Sequence, residues 1–335
     1  MRSPLTVLLG DRLVAGQASR LAAELGDPFR VVVPDGEGAF TPDGLVPFAA
    51  QADVIVATGL ASPTIEAARR CRLVQSWIAG VDRFDLEAMA RAGLVLSAAH
   101  GNAVAVAEHA LGLVLALGRH IVRGDRALRR GDWSVGFAAG APPHAGVSGR
   151  TVTVVGYGSI GRAFGRLAAG FGFRLIGVRR HPERSGADGG PVTIVGLDRL
   201  DWALGQADVV VLALPKTRET VGLIDARRLA AMRRDAWLVQ VGRSETVDEA
   251  ALFEACRDRR IAGAGLDVWW RYPPPHPRLP ARFPFHELDN VVLTPHSSGW
   301  TVEGLEAQMA FVVDNLRRFA RGEPIEGVVD LELGY

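Results

Sequence analysis

Cysteine is nearly absent: Cys71 and Cys256 are the 2 in 335 residues. That excludes a disulfide framework and a cysteine-built zinc site, and it points to a reducing compartment. An excess of charge of either sign is also missing, with 38 basic against 37 acidic residues, a net +1, and the signs interspersed. No polyanion or membrane surface would be drawn to such a chain, so neither nucleic acid nor lipid is expected as a partner. Long apolar runs are lacking too. The longest lies within Ala103 to Gly118, short for a membrane span, and the run before Asp11 is too short for a signal peptide. There is no internal repeat or low-complexity tract. We expect a cytoplasmic protein that holds no metal, with a hydrophobic fraction of 48% and a length sufficient for two domains.

What is present is organised around Gly149 to Arg180, which reads as strand, glycine turn, helix, strand. The β-branched run Thr151 to Val155 is followed by Gly156, Gly158 and Gly161 at G-x-G-x-x-G spacing, and helical periodicity begins at Arg162. This is a dinucleotide-binding signature in its required context. The first glycine allows a tight turn, the second lets backbone approach a pyrophosphate, and the third permits close packing of helix on strand. About twenty residues on, where an NAD site usually carries Asp or Glu, the chain has Arg179 and Arg180. Guanidinium groups bind a 2′-phosphate that a carboxylate would repel, so NADP(H) is preferred over NAD(H).

The first hundred residues alternate apolar runs (Leu5 to Leu9, Phe29 to Val33, Ala52 to Ala57, Leu73 to Ile78, Gly93 to Leu96) with helical stretches. That is a βαβ pattern without a phosphate-binding glycine turn. Its loops Ala79-Gly80-Val81-Asp82 and His100-Gly101-Asn102 can expose backbone N–H groups to a carboxylate. Asn102 is both a candidate N-cap and a candidate substrate contact for a long helix from Ala103 to about Arg123, which its composition places in a buried setting. Residues Gly124 to Gly149 read as a surface connection. Further strands are expected at Asp208 to Leu214, Trp237 to Val241, Ala262 to Val268 and Asn290 to Thr294, with a helix capped by Asp248. A last helix from Thr301 sets Leu305, Met309, Val312, Leu316 and Phe319 on one face and returns to cover the first sheet. The domains are therefore discontinuous, 1–100 with 301–335 and 101–300, with a substrate cleft between them.

In an open parallel sheet, ligands bind beyond the carboxyl ends of the strands. That rule selects Arg243, Asp267 and His296. Arginine suits a planar carboxylate, and imidazole is the usual acid or base near neutral pH. Asp267 could anchor a loop or accept a hydrogen bond from a nicotinamide carboxamide. Trp77, Trp133, Trp269, Trp270, Tyr272 and Trp300 are candidate pocket walls.

In chain order, AGVDRFD, NAVAVAEHALGLVLAL, VVGYGSIG, LALPKTRETVGLID, LVQVGRSETVDEAAL, GAGLDV and NVVLTPHSSG resemble the D-isomer-specific 2-hydroxyacid dehydrogenases. The resemblance implies an α/β architecture, with a Rossmann-type doubly wound parallel sheet and a smaller, discontinuous flavodoxin-like substrate domain. It further implies a homodimer and hydride exchange between NAD(P)H and the 2-carbon of a keto acid. Arg243 is then similar to the family's carboxylate-orienting arginine, His296 to its proton donor and Asp267 to its nicotinamide-side acid. Ala79, Gly80 and Val81 match its carboxylate-binding turn. Ser159, Ile160, Leu214, Pro215, Thr220, Val241 and Ser298 fall among the expected cofactor contacts.

One departure matters. Five residues after Asp267 the family usually has a glutamate that pairs with the histidine, and Tyr272 stands there. A phenol fixes orientation but supplies no charge, so a lower His296 pKa than in glutamate-bearing relatives is expected, with reduction failing earlier as pH rises. Gln240 and Ser244, beside Arg243, are smaller departures. Two alternatives stay open on the sequence. One is formate oxidation without proton transfer, and the other is a dinucleotide-sensing or partner-binding scaffold without turnover.

Overall fold

In the computed structural model, which describes residues 4–184, 191–272 and 280–335, the strands pair in parallel throughout. They form two sheets in two units, Met1–Asn102 with Val302–Tyr335, and Ala103–Thr301. In the first unit, β1 (Leu5–Leu9), β2 (Phe29–Val32), β3 (Val54–Ala57), β4 (Leu73–Ser76) and β5 (Val95–Ala98) lie in the order β2-β1-β3-β4-β5. This is the flavodoxin-like order. All of β3 and β4 is buried, as expected of strands covered on both faces; β3 is an unbroken apolar run, while β4 ends in the buried polar pair Gln75 and Ser76.

The second unit holds β6 (Thr151–Val155), β7 (Arg174–Val178), β8 (Val192–Val195), β9 (Val209–Leu212), β10 (Trp237–Gln240), β11 (Gly263–Leu266) and β12 (Val291–Leu293). Their order, β12-β11-β10-β9-β6-β7-β8, reverses at β6, so the topological switch point falls between β6 and β9. Two cores flank this sheet. One packs Val152, Val154 and Phe164 against the helix Ala103–Gly118, and the other gathers Leu212, Leu238, Leu266 and Phe285 on the opposite side.

The structure corrects several sequence expectations. The helix expected from Ala103 to about Arg123 is two helices, Ala103–Gly118 and Ile121–Leu128, bent by 62°. At Gly118 a Cβ would meet Val147 at 2.7 Å and Trp237 at 2.9 Å, and His120 adopts φ 51°, so chain direction changes where the helix presses on the sheet. Within the single chain the first helix leaves Val104 47% exposed. No single helix among the described residues is long and apolar enough to cross a membrane. Residues 124–149, read as connection, begin inside the second helix. β4 stops at Ser76, whose Oγ bonds Ile78 O at 2.7 Å and turns the chain. β5 starts late because Gly93, at φ 66°, still caps the preceding helix. The edge strand β8 was not expected at all; it is four residues long and follows a glycine-proline stretch.

Candidate active site

The glycine turn leaves β6 with its backbone held by β7, since Gly156 N and Tyr157 N both donate to Val178 O at 2.9 and 3.1 Å. Gly156 has φ 94°, and a Cβ there would sit 2.6 Å from Ala213 O, so no other residue fits. A Cβ on Gly161 would approach Gly156 O to 2.8 Å, which is why the helix Ser159–Ala168 can pack on the turn. Gly158 is different, being exposed with nothing within 4 Å of a would-be Cβ. Its bare backbone faces open space at a helix N-terminus, an arrangement that fits a pyrophosphate. Ser159 and Ile160 open that helix, partly exposed. Arg179 and Arg180 follow β7, and Arg180 pairs with Glu219 on the loop after β9. In that loop Leu214 is buried, and Thr220 Oγ1 donates to Pro215 O at 2.6 Å, closing the turn on itself.

Arg243, Asp267 and His296 follow β10, β11 and β12 on the same edge of the sheet. Gln240 now has a role, because its buried amide donates to Arg243 O and Thr246 Oγ1, both at 3.0 Å, while its Oε1 accepts Gly242 N–H at 3.1 Å. It clamps the turn that carries Arg243 beyond the buried Val241. Ser244 Oγ donates to Trp269 O at 2.5 Å and ties that turn to the chain leaving β11.

Asp267 is fully buried and anchors the histidine loop. Its Oδ1 accepts Thr294 Oγ1–H at 2.6 Å and Ser297 N–H at 3.0 Å, and its Oδ2 accepts Ser298 N–H at 3.0 Å. His109, on the helix Ala103–Gly118, reaches the same cluster, with Nε2 2.9 Å from Thr294 Oγ1. Held this way, His296 itself takes φ 55°, a left-handed conformation rare for a side chain of its size.

Tyr272 Oη lies 2.8 Å from His296 Nδ1 and accepts Trp269 N–H at 3.1 Å. The phenol thus has its own proton to donate to a bare Nδ1, and a lone pair for a protonated one, so it orients the ring in either charge state. Burial, reinforced by the nearby Asp267 charge, pushes the phenol up to about 12, and it stays neutral throughout the range in which imidazole titrates.

In the first unit the turn after β4 holds Ala79 and Gly80 partly exposed and Val81 buried. Their N–H groups make no hydrogen bond to any other described residue. Asn102 donates its N–H to Gln308 Oε1 at 3.2 Å. Of the aromatic candidates, Trp77 and Trp269 are buried, Trp270 stacks on Phe285 in the core, and Trp133 and Trp300 are exposed. His109 and Thr294 were not anticipated as parts of the site, and Trp269, expected as a pocket wall, instead bonds the Tyr272 and Ser244 side chains through its backbone. His109 sits inside a motif that had been noticed, but its partner lies 185 positions away and no spacing signals the contact.

Residues 111–298 match the model of the D-isomer specific 2-hydroxyacid dehydrogenase NAD binding domain. The glyoxylate reductase of Pyrococcus furiosus is 36% identical over 277 residues, covering 80% of this chain and 78% of that protein. The chain belongs to the D-isomer specific 2-hydroxyacid dehydrogenases. Two solved structures of the family superpose along the whole chain. The NADPH-dependent glyoxylate/hydroxypyruvate reductase of Sinorhizobium meliloti, in complex with NADP and malonate, gives a TM-score of 0.76 at 28% identity, covering 99% of this chain and 98% of that one. A D-isomer specific 2-hydroxyacid dehydrogenase of Xanthobacter autotrophicus, in complex with NADPH and MES, gives 0.78 at 27%, covering 100% of both. This dehydrogenase transfers a hydride between a nicotinamide cofactor and a 2-hydroxy or 2-keto acid.

Proposed function

We propose that this dehydrogenase acts as an NADPH-dependent reductase of small 2-keto acids, glyoxylate and hydroxypyruvate foremost. The observation that carries the cofactor choice is the pair Arg179 and Arg180 directly after β7, where an NAD site carries an acid. The names of the Pyrococcus and Sinorhizobium relatives support the substrate class. When bound, the cofactor supplies the hydride. Gly156, Gly158, Ser159, Ile160 and Gly161 hold its pyrophosphate, while Leu214, Pro215, Thr220, Val241 and Ser298 line its remainder. Asp267, buried and bonded by Thr294, Ser297 and Ser298 with His109 Nε2 at 3.6 Å, holds the loop that carries His296 and Ser298 in place for the nicotinamide side of the cofactor.

In the first unit the N–H groups of Ala79, Gly80 and Val81, with Asn102, bind a carboxylate, and in the second unit the Arg243 guanidinium is equipped for one as well. A carboxylate suits both kinds of donor. His296 gives the proton on its Nε2 to the forming alkoxide, and Tyr272 at Nδ1 keeps the ring aimed. The enzyme works as a homodimer, which is supported by apolar side chains left in water on one segment: Ile121 at 56%, Leu128 at 54%, Trp133 at 67% and Phe137 at 94% exposure.

Steady-state reduction of glyoxylate, hydroxypyruvate, pyruvate and aryl-pyruvates, with NADPH and NADH in parallel, tests the reading. We expect the highest kcat/KM with NADPH and the two small acids. A clear preference for NADH removes the arginine argument, and a preference for aryl-pyruvates removes the substrate assignment.

A further inference from the structure

The helix Val302–Arg321 buries two amide side chains in an otherwise apolar stripe, Gln308 at 4% and Asn315 at 1% exposure. Buried amides are kept where they are fully hydrogen-bonded, so what each one bonds shows its task. Asn315 Nδ2 shares its two protons among Gln75 Oε1, Ser97 Oγ and Glu326 O, at 3.0, 2.9 and 2.9 Å, and its Oδ1 accepts Glu326 N–H at 3.0 Å. It ties the interior of β4 and β5 to the end of the chain.

Gln308 reaches something else. Its Nε2 donates to Trp77 O and, at 3.2 Å, to Ala99 O, while its Oε1 accepts Asn102 N–H at 3.2 Å. Trp77 begins the turn that presents Ala79, Gly80 and Val81, and Ala99 to Asn102 is the loop after β5. One planar amide therefore spans the roots of both loops. The second loop also lies directly on the helix backbone, since a Cβ at Gly101 would fall 2.5 Å from Ala307 O and 2.6 Å from Gln308 N. The first is fixed from its other side by Ser76 Oγ on Ile78 O.

We propose that Gln308 is a positioning residue that sets the spacing of the two loops and so governs affinity for the substrate carboxylate. The proposal rests on the assignment of Ala79, Gly80, Val81 and Asn102 to carboxylate binding. The rigid fork of an amide matters here because it donates to two carbonyls and accepts from one N–H, a combination that no apolar side chain of equal length supplies.

The test compares Gln308→Met, which keeps length and volume, and Gln308→Glu, which keeps the acceptor but not the two donations, with Asn315→Leu as a control for mere loss of a buried amide. KM for glyoxylate, kcat, NADPH affinity by fluorescence and Tm are measured for each. We expect both Gln308 variants to raise KM by about tenfold, the size of one lost, well-formed hydrogen bond, with NADPH affinity unchanged and kcat reduced far less. Asn315→Leu lowers Tm without moving KM. Asn102→Ala also raises KM, and its effect combined with Gln308→Met is less than additive, as for residues acting through one loop. If Gln308→Met lowers Tm while its KM and that of Gln308→Glu stay within about twofold of the parent, well inside the spread of one hydrogen bond, Gln308 is a strut and the proposal is overturned. Should Gln308→Met not fold, Gln308→Glu alone decides by the same KM criterion. If Asn102→Ala leaves KM unmoved as well, the carboxylate assignment has failed rather than the role of Gln308.

Discussion

Replacing Tyr272 by glutamate, and separately by phenylalanine, divides the two services that a partner renders to His296. Phenylalanine removes the contact at 2.8 Å to Nδ1 and the acceptor for Trp269 N–H at 3.1 Å. A neutral hydrogen bond contributes about 0.5–1.5 kcal/mol, so an otherwise intact ring loses orientation worth about two- to twelvefold in kcat/KM. Glutamate restores a bond and adds a charge. Hydrogen bonds to ionised groups contribute about 1.5–3 kcal/mol, and at about 1.4 kcal/mol per pH unit this raises the imidazole pKa by about 1–2 units. The sign follows from the proposed path of the proton: with His296 as donor, reduction needs the imidazolium, so the rate falls as pH rises through that pKa, and glutamate moves the fall upward. The parent's phenol, pushed up to about 12, takes no part in this limb. The assay is the pH dependence of kcat/KM for glyoxylate reduction in the parent and both variants. Tyr272→Phe should decline at the same pH as the parent with a lower plateau, and Tyr272→Glu at a higher pH. A parent whose rate holds beyond about pH 8, or a Tyr272→Glu profile that coincides with the parent's, refutes the reasoning.

Substituting Arg179 and Arg180 by serine should lower kcat/KM for NADPH by about tenfold, the lower end for charge-assisted hydrogen bonds, because Arg180 is already engaged by Glu219; kcat/KM for NADH, measured alongside, should hold. Gly156→Ala places a Cβ 2.6 Å from Ala213 O at φ 94°, and we expect a loss of about 1–3 kcal/mol in stability, read as a lower Tm, together with weakened NADPH binding by fluorescence titration. Cys71 and Cys256 are buried, and loss of hydration pushes both thiols up to about 12. Since the folded value lies above the unfolded one of about 8.5, their contribution to stability is whole below that pH. It drains away as pH rises toward 12, by about 1.4 kcal/mol per unit for each thiol. Tm measured between neutral and strongly alkaline pH should therefore fall less steeply in the Cys71→Ala, Cys256→Ala variant, and neither thiol should react with iodoacetamide in the native protein.

The features legible from the sequence were those written in short range. A β-branched run followed by three spaced glycines dictates its turn, because each glycine answers a steric demand within a few residues. Strand ends could be located well enough to bring Arg243, Asp267 and His296 to one edge, because parallel strands of similar length share their polarity. Contacts between distant segments could not be read. Asp267 was ambiguous between anchor and ligand until Ser297, Ser298 and Thr294 were seen to bond it. The break after Gly118 depends on Trp237 and Val147, which the local apolar pattern does not reveal. Gln308 and Asn315 interrupt a stripe that periodicity scores only for its hydrophobic members.

The return of the helix Val302–Arg321 to the first unit has a consequence for how the protein is made. Met309, Val312, Val313 and Leu316 complete a core that also contains Val7, Leu9, Val54 and Val56. During synthesis the first sheet emerges early with this face only partly covered, by Val14, Leu21 and Leu25, while the whole second unit can fold behind it. That interval exposes apolar surface to aggregation and to chaperones, and it ends only when residue 321 has left the ribosome. The backbone bonds that Gln308 makes to Trp77, Ala99 and Asn102 form no sooner, so in a nascent or truncated chain the glycine turn after β6 can fold well before these two loops are braced.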